Sequence, residues 1–351
     1  MQATTPRGFS ADTEILTRRG WITFDQLTYL DEVATRSPDG RFEWEYPRSI
    51  TWGPYSGEMI WFHGRSFDFL VSPDLRMPWL TDPRCQVLHS PAGDILSRPN
   101  KPRRARAAVS LVATSEWRVS DLSGKIFPGV RHSKMGPQPR DVSMSGDQFA
   151  AFMGMYIAEG CATKTPRGWL VAISQTPNGK GYDEYREVLT DIFGREPGKG
   201  NYGTTWVMHS RAMYDYLSPL GKAKVKWIPP DVLNLSRRQL GIFWDYYWLG
   251  DGSYAGNLRY QVGATASERM AGELQEIIQK LGWSASVRAE KTRPTALVKS
   301  SGIIYKLGVR TTVWPACSID AVPYTGMVGR ADVTSGVTYV RRNGQPVWAG
   351  S

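Results

Sequence analysis

Two stretches of this sequence end in the same way. "DQFAAFMGMYIAEG" closes on Ala158-Glu159-Gly160, and "SRRQLGIFWDYYWLGDG" closes on Gly250-Asp251-Gly252. In the first, Phe149, Phe152, Met153, Tyr156 and Ile157 recur at helical spacing, with Ser145 placed to cap the start. Each stretch reads as an apolar helix with an acid in its last turn and a glycine beside it. Glycine after a helix is ordinary, because it takes the left-handed end conformation at no steric cost. An acid there is opposed by the helix dipole, by roughly 0.3–1 kcal/mol. The two acids lie 92 residues apart, one per copy. Packing alone does not account for an unfavourable charge that occurs twice. Two carboxylates brought together by crossing helices would repel, and a bound divalent cation would offset both that repulsion and the dipole.

The text around the acids repeats too. Strand-like "GWLVAISQT", helical "YDEYREVLTDIFG" and strand-like "TTWVMHS" follow the first helix. After the second come "RYQVGAT", "SERMAGELQEIIQKLG", "SASVRAE" and "IIYKLGVRT". This is a degenerate repeat of about 90 residues, helix then strands then helix. Outside it the chain reads as β. "TEILTRRGWITF" and "EMIWFHGRSFDFLVS" carry β-branched and aromatic residues between turn signals at Pro38-Asp39-Gly40 and Tyr55-Ser56-Gly57. "GVTYVRRNGQPVWAG" predicts a hairpin turning at Asn343-Gly344.

The charge balance names a class of partner. The chain has 351 residues with 43 Lys and Arg against 33 Asp and Glu, a net charge of +10, which favours a polyanion. Five of these basic residues fall within 98–106, in "SRPNKPRRARAA" (97–108). That segment is either a solvated linker or an arm contacting phosphates through Arg103, Arg104 and Arg106. Cys85, Cys161 and Cys317 and the four histidines show neither zinc-ligand nor disulfide spacing. The sequence has no secretory leader and no apolar run of membrane-spanning length, so the expectation is a cytoplasmic monomer, from a prokaryote or a phage, without a membrane partner.

"FMGMYIAEG" (152–160) and "WDYYWLGDG" (244–252) resemble the paired LAGLIDADG motif of homing endonucleases. Gly154 and Ala158, one turn apart, offer a small face for close helix approach. The second copy keeps Gly250 but has Tyr246 where the family usually has a small residue. The resemblance implies an α+β fold with two pseudo-symmetric αββαββα repeats, 141–230 and 231–316, forming a saddle over double-stranded DNA. It implies that Glu159 and Asp251 hold two or three Mg²⁺ ions, for which Mn²⁺ can substitute, and leaves open any backbone ligand beside Ala158. It implies roles near the metals for Lys226 in "KVKWIPPDVLNLS", for Lys306 as its counterpart, and for Gln175. For Lys226 the alternative is a solvated surface lysine. Arg259, Arg288 and Arg310 are expected to contact bases or phosphates.

The outer segments resemble an intein. "GFSADTEILTRRGWITFDQL" (8–27), "LVSPDLRMPWL" (70–80) and "YTGMVGRADVTSGVTYVRRNGQPVWAGS" (324–351) are similar to its terminal blocks. They imply a discontinuous, all-β Hint-type domain from 1–135 and 317–351. Splicing needs a thiol or hydroxyl on its first residue, an assisting histidine and a terminal asparagine. Gly8, Leu75 and Ser351 stand there, and Arg330 replaces the usual acid or cysteine of the penultimate block. The expected function is a free-standing site-specific endonuclease that makes double-strand breaks by metal-dependent hydrolysis, with splicing lost. The alternatives are a sequence-specific DNA-binding protein without cleavage and an autoprocessing intein.

Overall fold

The structure is a computed structural model that describes residues 6–64, 67–80, 87–97, 110–111, 115–129, 140–166, 168–200, 203–254, 261–292, 302–310 and 318–350. It is mixed α/β, with strands in several sheets predominating. The helices among these residues are α1 (Ala92–Leu96), α2 (Gly146–Glu159), α3 (Tyr182–Phe193), α4 (Arg211–Leu217), α5 (Pro230–Leu233), α6 (Arg237–Asp251) and α7 (Glu268–Lys280). None of them is long and apolar enough to cross a membrane. The chain divides into two compact units. One comprises Met1–Trp117, Ile278–Arg288 and Gly308–Ser351; the other comprises Arg118–Ile277 and Ala289–Leu307.

The first unit is built from both ends of the sequence. Ser49–His63 pairs antiparallel with Ser318–Asp332 along its whole length, from His63 opposite Ser318 to Ser49 opposite Asp332. These two strands close a barrel with Phe9–Ser10 and Asp68–Val71. A six-stranded sheet holds Gln345–Gly350, Val337–Arg342, Glu14–Thr17, Val33–Arg36 and Phe42–Glu45 in that order, with Gly20–Thr23 also on Glu14–Thr17. Strand side chains alternate between faces, and the inward set forms one core that includes Phe9, Ile15, Phe62, Phe69, Val71, Leu75, Trp79, Val340 and Val347. Each fully buried large side chain of this kind contributes about 1.5–3 kcal/mol.

Two of the three turn signals hold. Gly40 takes a φ of 90°, and its N–H donates to the Ser37 carbonyl. Asn343 and Gly344 take φ of 49° and 71°, the primed-turn geometry that joins Arg342 to Gln345. The third signal is overturned: Tyr55, Ser56 and Gly57 lie inside a strand, opposite Gly326, Thr325 and Tyr324. A partner strand from the far end of the chain supplies backbone hydrogen bonds through the stretch, and this outweighs the local turn preference.

In the second unit, α2 begins with a capping box. Ser145 Oγ accepts the Gln148 N–H, and Gln148 Oε1 accepts the Ser145 N–H. Every residue from Phe149 to Ile157 is buried, so this helix is apolar all round. Ser236 caps α6 in the same way as Ser145, by accepting the Gln239 N–H. The two helices pack backbone to backbone. A Cβ at Gly154 would fall inside 3.0 Å of the Phe243 carbonyl oxygen and of Tyr246 Cβ. One at Gly250 would fall inside 3.0 Å of Ala158 Cβ and the Tyr185 hydroxyl. Tyr246 therefore does not hold the helices apart. Gly154 provides the room, and the Tyr246 ring lies against Tyr185 instead.

A four-stranded sheet follows each of these helices. After α2 its order is Gly160–Thr165, Gly168–Ser174, Thr205–Met208, Gly198–Gly200. After α6 its order is Ser253–Tyr254, Gln261–Thr265, Ile303–Arg310, Ser284–Lys291. Numbered along the chain, both orders are first, second, fourth, third, with α3 or α7 between the second and third strands.

Candidate active site

The ends of α2 and α6 have the same construction. The Gly160 N–H donates to the Tyr156 carbonyl, and the Gly252 N–H donates to the Trp248 carbonyl. Neither glycine is left-handed, contrary to the sequence expectation. Their φ/ψ are −89°/151° and −83°/145°, extended values open to any residue. They are glycines for clearance. A Cβ at Gly160 would fall inside 3.0 Å of Tyr156 Cδ2 and its carbonyl oxygen; one at Gly252 would collide with Trp248 in the same way.

Glu159 and Asp251 meet at these ends. Burial raises the Glu159 carboxyl above its ordinary value, and the charge of Lys226 opposes the rise. Burial, then the charge of Glu159, pushes Asp251 up to about 7, again against Lys226. The Tyr185 hydroxyl, which donates to the Tyr246 carbonyl at 2.7 Å, is raised by burial and then by both acids. The two carboxylates thus share a partly desolvated neighbourhood, in which the charge of Glu159 disfavours that of Asp251.

Lys226 is not a solvated lysine. It is 6% exposed, and its Nζ donates to the carbonyls of Tyr156 (2.8 Å), Ile157 (2.9 Å) and Gly160 (2.9 Å). Burial pushes its ammonium down to about 8, against the pull of Asp251, Cys161 and Glu159. An ammonium has three donors, and all three are spent on backbone. Its place is that of a cation at the negative end of α2, which offsets the dipole penalty on the acid. A direct hydrogen bond from it to a water, as the family resemblance implies, has no donor left. The segment is fastened from α7: Ser267 Oγ donates to the Lys226 carbonyl at 2.6 Å, and the Ile228 N–H donates to Glu273 at 2.6 Å.

The sequence did not single out Lys180. Its Nζ donates to the Trp248 carbonyl at 3.1 Å and lies 4.9 Å from the Trp248 ring centre. Burial lowers its ammonium. It precedes α3 in "TPNGKGY", where nothing local marks it; only the fold carries it to α6. Gln175 is part of the same turn. Its Nε2 donates to the Lys180 carbonyl at 2.8 Å, and its Oε1 accepts the Thr176 N–H. The structure thus shows Gln175 forming a turn, the place beside a metal-bound water being what the resemblance implied.

Lys306 is not brought to the acids. It forms an ion pair with Glu290 at 2.6 Å across the second four-stranded sheet, its side chain 43% exposed. Arg288 is exposed on Ser284–Lys291 and Arg310 half-buried at the end of Ile303–Arg310; both fall in the first unit. Arg103, Arg104, Arg106, Arg259 and Ser351 lie outside the described residues.

The splicing-like positions of the first unit are filled by packing. The Gly8 N–H donates to Ser72 Oγ at 3.0 Å, and the Ser72 N–H returns a bond to the Gly8 carbonyl. A Cβ at Gly8 would fall inside 3.0 Å of the Gly329 carbonyl oxygen. Leu75, for which the resemblance implied a histidine's place, is 1% exposed in the hydrophobic core. Arg330 pairs with Asp332 at 2.7 Å.

The acid pair suits a hard divalent cation. Among the described residues no three His, Cys, Asp or Glu converge on one point. Mg²⁺ characteristically uses one or two carboxylates and takes its remaining ligands from water and substrate phosphate. Two carboxylates whose charges oppose one another meet that requirement.

No protein-family model matches the chain. The ATP-dependent Clp protease proteolytic subunit of Chlamydomonas moewusii is 22% identical over 332 residues, covering 88% of this chain and 31% of that protein. The chain thus spans less than a third of that relative's length. Among solved structures, a splice-inactive AceL NrdHF class 3 split intein is 16% identical, over 46% of this chain and 94% of that one, with a TM-score of 0.25. The homing endonuclease I-WcaI bound to its DNA recognition sequence is 14% identical, over 46% of this chain and 75% of that one, with a TM-score of 0.28.

Proposed function

We propose that this chain is a site-specific, divalent-metal-dependent endonuclease that cuts both strands of DNA, joined to a Hint-type β unit that no longer splices. The observation that carries the proposal is the convergence of Glu159 and Asp251, from two matching helices, in a place where burial raises both carboxyls and the charge of Glu159 raises Asp251 further. Packing gains nothing from that arrangement; cation binding does. Glu159 and Asp251 would hold the divalent cation, with phosphate and water supplying further ligands. Bound Mg²⁺ supplies a more acidic water and offsets charge on the attacking and leaving oxygens. Lys226 and Lys180 keep the two helix ends neutral enough for both acids to ionise together. The net charge of +10 brings the polyanion to the protein. The matching strand orders of the two sheets support a saddle-like pair of DNA-binding surfaces, wide enough in principle for a major groove. Autoprocessing is disfavoured, because Gly8 has no side-chain atom to attack a carbonyl.

The test is incubation of the full chain with a randomised double-stranded library and Mg²⁺, followed by sequencing of the ends. The expected result is linear product with one defined end sequence on each strand. Tight binding to a selected sequence with no cut would replace the nuclease with a DNA-binding protein.

A further inference from the structure

The ends of α2 and α6 share a detail that the acids alone do not require. Tyr156 and Trp248 occupy the same place in the two motifs, three residues before the acid. The carbonyl of each accepts the glycine N–H of its own helix end. Each carbonyl also accepts a lysine ammonium, Lys226 on Tyr156 at 2.8 Å and Lys180 on Trp248 at 3.1 Å. The aromatic ring of the same residue flanks that ammonium, 5.1 Å away for Lys226 and 4.9 Å for Lys180. The exchange is crosswise. Lys180 follows the first motif helix in sequence and reaches the second. Lys226 precedes the second and reaches the first.

We infer that Lys180 and Lys226 are a matched pair of positioning residues, each fixing the last turn of one motif helix and so aiming the acid that the turn carries. This rests on the nuclease reading above. The physical need is specific. An acid at a helix C-terminus adds negative charge where unsatisfied carbonyls already point, and a cation bound to those carbonyls is the direct remedy. A cation on the carbonyl three residues back also restrains the turn without occupying the space in front of the carboxylate. Each lysine has its own support: Gln175 holds the Lys180 carbonyl, and Ser267 holds the Lys226 carbonyl. Lys306, the counterpart expected from sequence, is engaged with Glu290 and has no share in this arrangement. The charge of Lys226 acts on both acids, but each lysine's hydrogen bond holds a different helix end and so aims a different acid, and the consequence for DNA is strand-specific.

The experiment uses the full chain, the target recovered from the library, and a different label on each strand. Lys180→Met is expected to slow one strand's cut at least about tenfold more than the other's and to accumulate a nick. Lys226→Met is expected to accumulate the nick in the opposite strand. Lys180→Arg, which keeps the cation, is expected to restore most of the lost rate, and DNA affinity is expected to stay within about threefold throughout. Equal slowing of both strands by Lys180→Met, or no rescue by arginine, would overturn the pairing. Amide hydrogen exchange of the same variants needs neither cleavage nor a stable Lys226→Met protein under turnover conditions. Lys180→Met should speed exchange at Gly252 and leave Gly160 unchanged; exchange that rises equally at both, or at neither, would overturn the crosswise assignment. If the unaltered chain cuts no DNA, the nuclease reading falls on that result, and the exchange pattern still decides the assignment.

Discussion

Around Gly8 the first unit is packed shut, whereas around Asp251 the second unit keeps charge where packing would prefer none. Gly8 has no room for a side chain beneath the Gly329 carbonyl, and Leu75, for which the intein resemblance implies a histidine's place, lies in the core. Core packing stabilises these replacements, so nothing in the fold opposes them. Glu159 and Asp251 stand the other way: both are raised by burial, Asp251 is raised further by the charge of Glu159, and Lys226 offsets part of the cost at each. The contrast is the reason the proposed chemistry is assigned to the second unit.

The sharpest break in that contrast comes from the acids. Asp251→Asn or Glu159→Gln is expected to lower cleavage of at least one strand by about 10³-fold, about 4 kcal/mol of transition-state stabilisation, with DNA binding retained. The metal-free protein should at the same time become more stable, because a buried repulsion is gone. Parallel loss of binding, cleavage and stability would instead make the acids structural. Next in size is Gly154→Val, which drives a side chain into the Phe243 carbonyl. A loss of about 3 kcal/mol or more is expected in denaturant unfolding, since backbone cannot yield as a side chain can.

Gly8→Cys tests the other half of the comparison. Restoring a nucleophile is expected to destabilise by about 1–3 kcal/mol and to give no ligated product between two reporter segments. Ligation would contradict the reading of the β unit as unable to splice.

The pH dependence follows with a definite sign. Asp251 has a folded value of about 7 against an ordinary value of 3.8. The native state therefore holds a proton that the unfolded chain has released between these values. The associated stability is fully present below about pH 4 and is lost as pH rises through about 7. Glu273, also raised to about 7 by burial, acts in the same direction. Metal-free melting curves should show the decline, and Asp251→Asn should flatten part of it. The smallest effect is expected for Lys306→Met. An exposed pair such as Lys306 with Glu290 is worth about 0–1 kcal/mol, and cleavage should be nearly unchanged. A large loss of activity would return Lys306 to the site.

What was legible in the sequence was local or repeated. The Ser145 cap, the Asn343-Gly344 turn and the two acid-ended helices follow from spacing and from residues within one turn of each other. The crossing of α2 and α6 was legible in Gly154, whose missing side chain accommodates Tyr246. What was not legible depends on chain brought from elsewhere. The strand Ser318–Asp332 turned an apparent Tyr55-Ser56-Gly57 turn into extended backbone. Gly160 and Gly252 looked like left-handed caps, but they make room for the aromatic ring four residues earlier. Lys180 lies in an unremarkable polar turn, and only folding takes it to Trp248. Lys306 had the right sequence surroundings and the wrong neighbour.

The most direct measurement is the melting temperature of the full chain against Mg²⁺ concentration at pH 8, above the value of about 7 to which Asp251 is raised, compared with the Glu159→Gln/Asp251→Asn double variant. The account predicts a saturable rise for the unaltered chain, as binding to the native state alone requires, and a flat line for the variant. Equal rises in both proteins would place the cation elsewhere and remove the basis for a nuclease built on this pair of acids.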